Sequence, residues 1–176
     1  MATTPTHDAI AGPVHGGNSP PWLADRVSVR LLEYTAGLYA VAWVVHTGDH
    51  LRRGLDVVTT QVAVLGSVAA VLQLAAVALV FLRFRWAPIL AAAIGIPDAI
   101  GIAAVHLLPH WSAFSDAFPG AHGAGVTTLS WVAAIMEIVG ALAFGLAGMY
   151  AWRRARGAAV ADGAAWDGSR RSPSTA

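Results

Sequence analysis

Cysteine is absent from this chain of 176 residues. Its absence excludes disulfides, thiolate metal ligands, iron-sulfur clusters and haem attached through a Cys-x-x-Cys-His motif. Any bound metal ion must therefore be held by nitrogen and oxygen ligands. A phosphate-binding Gly-rich loop, a Gly-x-Ser-x-Gly nucleophile elbow and a His-Glu-x-x-His motif are also missing. The usual sequence signatures of nucleotide binding, serine esterases and zinc proteases are thus lacking.

Charged residues are scarce as well. They make up 12% of the chain, whereas 56% of its residues are hydrophobic, and a soluble domain carries roughly 25% charged residues. The basic residues are all arginine, and the formal net charge is only +1. This composition indicates a protein of the lipid bilayer, and it favours neither nucleic acid nor a strongly acidic partner.

Long apolar segments account for most of the chain. Each has about the 20 residues that a helix needs to cross a hydrocarbon core, and helices satisfy their own backbone groups in lipid. The connections are short, which favours sequential antiparallel packing. We predict an all-α, polytopic membrane protein with a four-transmembrane-helix antiparallel bundle in residues 22–152, between disordered tails at 1–21 and 153–176. The predicted spans are 29–47, 62–82, 88–108 and 126–150.

The arginines predict the orientation of this bundle, because cytoplasmic segments of membrane proteins carry an excess of positive charge. We therefore expect a multi-pass protein of the cell membrane with both termini in the cytoplasm. The ends of helices one and three then lie at the extracytoplasmic face. One side of the membrane collects Arg26, Arg30, Arg83, Arg85, Arg153, Arg154 and Arg156, whereas the other has Arg52 and Arg53.

Two His-x-x-x-His pairs end the first and third apolar segments. Side chains four residues apart lie on one face of a helix, so each helix offers two imidazoles to one ion. With so much imidazole and no thiolate, zinc, Cu(II) or iron is the expected metal. Histidine is also tolerated at a membrane boundary without any ligand. The predicted ligands are His46, His50, His106 and His110, with Asp49, Asp116 and His122 as further candidates.

The same histidines are also suited to a b-type haem. In that interpretation His46 faces His106 across the bundle, and the two imidazoles are axial ligands of the iron. Haem needs only one such pair and leaves His50 and His110 for other roles.

Three polar residues share a level near the middle of the predicted bundle. Asp98 and Glu137 are carboxylic acids at a depth where a charged acid costs about 2.5 to 3.5 kcal/mol, and such residues usually have a function. We predict a proton relay or a coupling site, in which the two carboxyl groups share a proton. Alternatively, Gln73 binds one of them in a contact that fixes helix register.

Two groups of residues are candidate substrate contacts. Tyr39 and Trp43 share one stripe of the first helix with the histidines, which predicts that they face protein or ligand rather than lipid. Arg52 and Arg53 lie on the extracytoplasmic side and are able to hold an anion. Ion pairs with Asp49 and Asp56 are the favoured explanation of these arginines. We include Gln73 among the substrate contacts.

These patterns predict three functions of different kinds. The leading hypothesis is a transition metal or haem site for redox or oxygen chemistry, with Asp98 and Glu137 conducting protons. The second is a small proton-coupled transporter or channel-like protein, in which the carboxylates are the coupling site. The third is a non-catalytic membrane subunit of a larger complex. The small size of the chain favours a homo-oligomer or further membrane subunits under the last two.

Overall fold

The computed structural model describes residues 19–120 and 125–170, and within these ranges it is all-α. Three of the four α-helices are long and apolar enough to cross a membrane, at Thr60–Phe81, Ala87–His106 and Thr128–Ala161. The expected helical class is thereby confirmed. The helices are α1 Arg26–Arg53, α2 Thr60–Phe81, α3 Ala87–His106 and α4 Thr128–Arg170, with short 3-10 turns at Pro21–Ala24 and Leu55–Val57.

Local side-chain chemistry sets the helix ends. The Asp25 carboxylate caps α1 by accepting from the backbone N–H of Val27, and the pKa of Asp25 is lowered, chiefly by the hydrogen bond that Ser28 Oγ donates. Gly54 ends α1 with a φ of 94°, a conformation that residues with a Cβ rarely adopt. The Thr59 hydroxyl caps α2 by accepting from the backbone N–H of Val62.

The longest helix, α4, is the centre of the packing, and it contacts both α1 and α3. Small residues allow the close approach: a Cβ added at Gly95 of α3 would lie 2.5 Å from the carbonyl oxygen of Ala141 in α4. Tyr39 of α1 stacks on Phe144 of α4 with ring centroids 5.4 Å apart. The remaining helix, α2, packs on α3 and α1 and leaves most of its own surface exposed.

Two predicted boundaries differ from the structure. The tail expected from residue 153 is instead part of α4, which continues to Arg170. The predicted span 88–108 ends earlier, because α3 stops at His106. There the backbone N–H of Asp116 donates to the carbonyl of Val105 and that of Phe118 to the carbonyl of His106. The following loop thus satisfies the last carbonyls of α3 and folds back over its end.

Candidate metal centre

Three of the predicted histidines meet in one cluster. His46 and His50 lie one turn apart on the inward face of α1, and His106 is the last residue of α3. The ring centroid of His46 is 4.8 Å from that of His50 and 4.8 Å from that of His106. One nitrogen from each residue can be chosen so that all three nitrogens lie within 4.8 Å of one another. The sequence leaves open whether the histidines of helices one and three are neighbours, and the structure places His46, His50 and His106 together.

His46 is the more buried of the two clustered histidines on α1. It is 5% exposed, and its Nδ1 lies against a carboxylate oxygen of Glu137 from α4. Neither ring nitrogen of His46 makes a hydrogen bond of ordinary geometry within the described ranges. An ionised carboxylate only accepts hydrogen bonds, so Glu137 favours the tautomer with its proton on Nδ1. The Nε2 lone pair of His46 is then unused, which is costly for a buried nitrogen unless another group binds it.

His106 is oriented in the same manner by the loop after α3. Its Nδ1 lies 3.1 Å from the backbone carbonyl oxygen of Asp116. A carbonyl oxygen accepts and never donates, so Nδ1 carries the proton and Nε2 retains its lone pair. The third histidine, His50, is half-buried, and its Nδ1 lies 3.9 Å from Asp116 Oδ2. His46 and His106 therefore each have an oxygen close to Nδ1, which is the usual support for a histidine that binds a metal through its other nitrogen, whereas the Asp116 oxygen is too far from His50 for a hydrogen bond.

The loop that carries Asp116 is anchored to the end of α1. Arg53 Nη1 and Nη2 donate to the two Asp116 carboxylate oxygens at 2.8 and 2.6 Å. The Arg53 guanidinium also lies 5.3 Å from the centroid of the Phe118 ring, and Phe118 packs on His106 with a centroid separation of 4.6 Å. These contacts form a roof over the histidines. The sequence named Asp49 and Asp56 as ion-pair partners of the two arginines; in the structure Arg52 pairs with Asp49, and Arg53 forms a bidentate ion pair with Asp116.

Some predicted ligands lie away from the cluster. His110 is exposed and follows the end of α3, so it does not share a helical face with His106 as the four-residue spacing suggested. Asp49 is buried, and it accepts from Arg52 at 2.8 Å, which is one of the ion pairs that the sequence predicts. Arg52 also donates to the carbonyl of Gly125 at 2.8 Å and so connects α1 to the segment before α4. His122 lies outside the described residues.

The two acids at mid-depth have separate partners. Asp98 accepts from Tyr39 Oη at 2.6 Å and from Gln73 Nε2 at 2.6 Å, whereas Glu137 contacts His46. The predicted contact between Gln73 and a carboxylate is present. The two acids do not form a mutually bonded pair in the described structure; Glu137 belongs to the histidine cluster, and Asp98 belongs to a hydrogen-bonded group with Tyr39 and Gln73.

A cavity of about 670 Å³ connects these two groups of residues between α1, α2 and α3. His46, His50 and His106 line one part of it, and Gln73 and Asp98 line another. Its other walls are mainly apolar. Trp43, which the helical period placed on the inward stripe, is half-buried and also lines the cavity.

Sequence reasoning missed the roles of two residues. It assigned Asp116 only as a further ligand, and Arg53 as a substrate contact or an ion-pair partner of Asp49 or Asp56, because each acts through a residue on another element. The aromatic residues of the loop after α3, among them Trp111 and Phe118, are the sequence signal that points to a cover for the histidines.

No family model matches the chain, and neither a curated protein nor a solved structure matches it. Function therefore has to be argued from the geometry. The described residues supply three imidazoles, a carboxylate in contact with one of them, and a cavity onto which all three open. This arrangement suits a single metal ion with room for another molecule beside it.

Proposed function

We propose that the protein is a multi-pass membrane protein that binds one transition metal ion through His46, His50 and His106. The observation that carries the proposal is the buried Nε2 of His46, which has no hydrogen-bond partner in the described ranges although two further imidazoles lie beside it. A bound ion would give this nitrogen the partner that a buried polar atom requires.

The donor set favours zinc, Cu(II) or iron. Imidazole suits all three metals, whereas calcium and magnesium prefer oxygen ligands. Zinc lies about 2.0 to 2.1 Å from each histidine nitrogen, so tetrahedral ligand atoms are about 3.3 Å apart. The three nitrogens lie within 4.8 Å of one another, so the farthest pair would have to close by up to about 1.5 Å on binding. His50 is the half-buried member of the set and has the most room to move.

Ring contacts favour a single ion over a haem. A haem with two histidine ligands holds the imidazoles on opposite faces of a macrocycle. Here the rings of His46, His50 and His106 lie against one another, with centroids 4.8 to 5.4 Å apart. This spacing suits three ligands on one side of one ion.

The surface of α1 supports its placement in the membrane beside the other three helices. Its inward face carries Tyr39, His46 and Asp49, all buried, while its outward face exposes Val41 and Val44 by more than half. Polar residues inside and apolar residues outside are the reverse of a soluble protein's helix and suit contact with lipid. We propose four spans with both termini cytoplasmic, as the arginine distribution predicts. The metal then lies near the extracytoplasmic face.

Three histidine ligands leave an open coordination position, which is the arrangement of catalytic rather than structural metal sites. The ion would supply Lewis acidity or a redox couple, and we propose redox or oxygen chemistry as the reaction class. Glu137 has two roles of its own: its carboxylate orients His46, and it is a nearby acceptor for a proton. Arg53 and Asp116 hold the outer loop over the site and limit the access of water.

A visible absorption spectrum and elemental analysis of the detergent-purified protein test this proposal. The protein is expressed without added metal and washed with a weak chelator to remove loosely held ions. We expect about one copper, iron or zinc per chain and no Soret band. Metal well below stoichiometric amounts, which also fails to rise after incubation with each ion, would overturn the metal proposal. A Soret band would show that the protein binds haem instead of a single ion.

A further inference from the structure

A second unpartnered polar atom belongs to a residue that lines the cavity apart from the histidines. Gln73 on α2 is 5% exposed and lines the cavity. Its Nε2 donates to Asp98 at 2.6 Å, which fixes the amide so that Oε1 points away from the carboxylate. In the part of the chain that the structure describes, Oε1 has no hydrogen-bond partner. A buried amide oxygen of this kind requires a donor.

The walls around Gln73 determine what kind of molecule can bring that donor. Val62, Leu65 and Ile94 are among the apolar residues that line the cavity, so an ionised ammonium group would lose its hydration there at a high cost. A neutral hydroxyl group donates one hydrogen bond at a much lower cost. The volume of about 670 Å³ lies within the range of pockets that enclose small organic ligands.

Two apolar residues that line the cavity are also exposed at the surface of α2. Leu65 and Leu72 both line the cavity, yet they are 50% and 48% exposed on α2. A molecule that enters beside these residues passes over hydrocarbon surface, which indicates entry from the bilayer rather than from water.

We propose that the cavity binds a lipid-soluble hydroxyl compound whose O–H donates to Gln73 Oε1 and whose apolar body fills the space between α1, α2 and α3. This inference rests on the proposed function, because it names the class of molecule that would lie beside the proposed metal site. The binding itself depends on Gln73 and the apolar walls and does not require the metal.

Trp43 provides a direct readout, since it lines the same cavity. The purified full-length protein is titrated in detergent with 10-bromodecan-1-ol, whose bromine quenches indole fluorescence, and with the methyl ether of the same compound. The difference in fluorescence quenching between the parent protein and Trp43→Phe gives the quenching of Trp43 separately from that of the other tryptophans. We expect the alcohol to quench Trp43 at about two- to tenfold lower mole fraction than the ether, the effect of one hydrogen bond to an otherwise unpaired acceptor.

Two variants assign that preference to Gln73. Gln73→Met keeps the side-chain length and removes the amide, and it should bind alcohol and ether equally. Tyr39→Phe removes the other hydrogen bond to Asp98 but retains Gln73, and it should keep the preference. Circular dichroism checks that both variants are folded. Equal binding of alcohol and ether by the parent protein, a preference that persists in Gln73→Met, or its loss in Tyr39→Phe would overturn the proposal.

Elemental analysis of the same samples separates the two proposals. Bound metal in Gln73→Met together with loss of the alcohol preference would support both. An alcohol preference in a parent protein that binds no metal would support the cavity ligand and overturn the metal site. Bound metal without any alcohol preference would support the metal site and overturn the cavity ligand.

Discussion

Arg53 and Asp116 form a bidentate ion pair that joins the end of α1 to the loop after α3, with N–O distances of 2.8 and 2.6 Å. Both side chains are almost fully buried. Through its backbone carbonyl, Asp116 also holds Nδ1 of His106. One ion pair thus fixes both the outer loop and the orientation of a proposed metal ligand.

Asp116→Asn is expected to destabilise the protein strongly. It removes the Asp116 charge from a buried ion pair with Arg53, and removing one partner of a buried ion pair typically costs about 3 to 5 kcal/mol. Thermal unfolding, monitored through the helical circular dichroism signal, measures the loss of stability. Arg154→Ala is the matched control, because it removes an exposed ion pair with Asp25 that solvent screens. A similar melting temperature for Asp116→Asn and Arg154→Ala would contradict the structural role of the buried pair.

Glu137→Gln is expected to weaken metal binding about ten- to hundredfold without abolishing it. The amide can still contact His46, but it lacks the negative charge that favours a proton on Nδ1 and increases the basicity of Nε2. Competition with a chelator of known affinity gives the dissociation constant. Glu33→Gln, which changes a carboxylate near Arg83, should bind metal as the parent protein does. Unaltered affinity in Glu137→Gln would show that this carboxylate does not support the site.

The inward stripe of α1 could be predicted from sequence, because the helical period fixes which residues share a face. Tyr39 and His46 are indeed buried, and Trp43 and His50 line the cavity. The shared depth of Gln73 and Asp98 likewise predicted their contact. Such inferences need only the rise and twist of a helix.

The remainder of the site depends largely on tertiary contacts that no local pattern encodes. The spacing of His106 and His110 indicated a second pair on one helix, but α3 ends at His106. Pro109 is a local signal of that end, since it lacks a backbone N–H, and the backbone groups of the returning loop complete it. The partner of Arg53 was missed because Asp116 becomes its neighbour only when that loop folds back. Glu137 was assigned by depth to Asp98, whereas the packing of α4 on α1 places it against His46.

Gly95→Ala is expected to destabilise the packing of α3 on α4. The new Cβ would lie 2.5 Å from the carbonyl oxygen of Ala141, and forcing an extra methyl group into a close-packed contact costs about 1 to 3 kcal/mol. Thermal unfolding in detergent measures the effect. Gly101→Ala on the same helix is the control, since its Cβ would meet no atom within 4 Å. Equal melting temperatures for the two variants would contradict the close contact of the two helices.

Single cysteines test the proposed four spans, because the natural chain has none. Ala24→Cys, Ala113→Cys and Ala158→Cys each introduce one thiol at an exposed position. In intact cells, we expect a membrane-impermeant maleimide to label only Ala113→Cys, and to label the other two after permeabilisation. Labelling of both Ala24→Cys and Ala113→Cys from outside would show that α1 does not cross the membrane. Labelling of Ala158→Cys from outside would contradict the cytoplasmic C-terminus.

Metal stoichiometry in matched histidine variants tests the central claim most directly. Chelator-treated protein is dialysed against zinc or Cu(II), and bound metal is measured in the parent protein and in His46→Ala, His106→Ala and His110→Ala. The metal-site account predicts about one ion per chain in the parent protein and in His110→Ala, whose side chain is exposed and away from the cluster. It predicts loss of that ion in His46→Ala and in His106→Ala. Full occupancy in both of these variants would contradict the metal site.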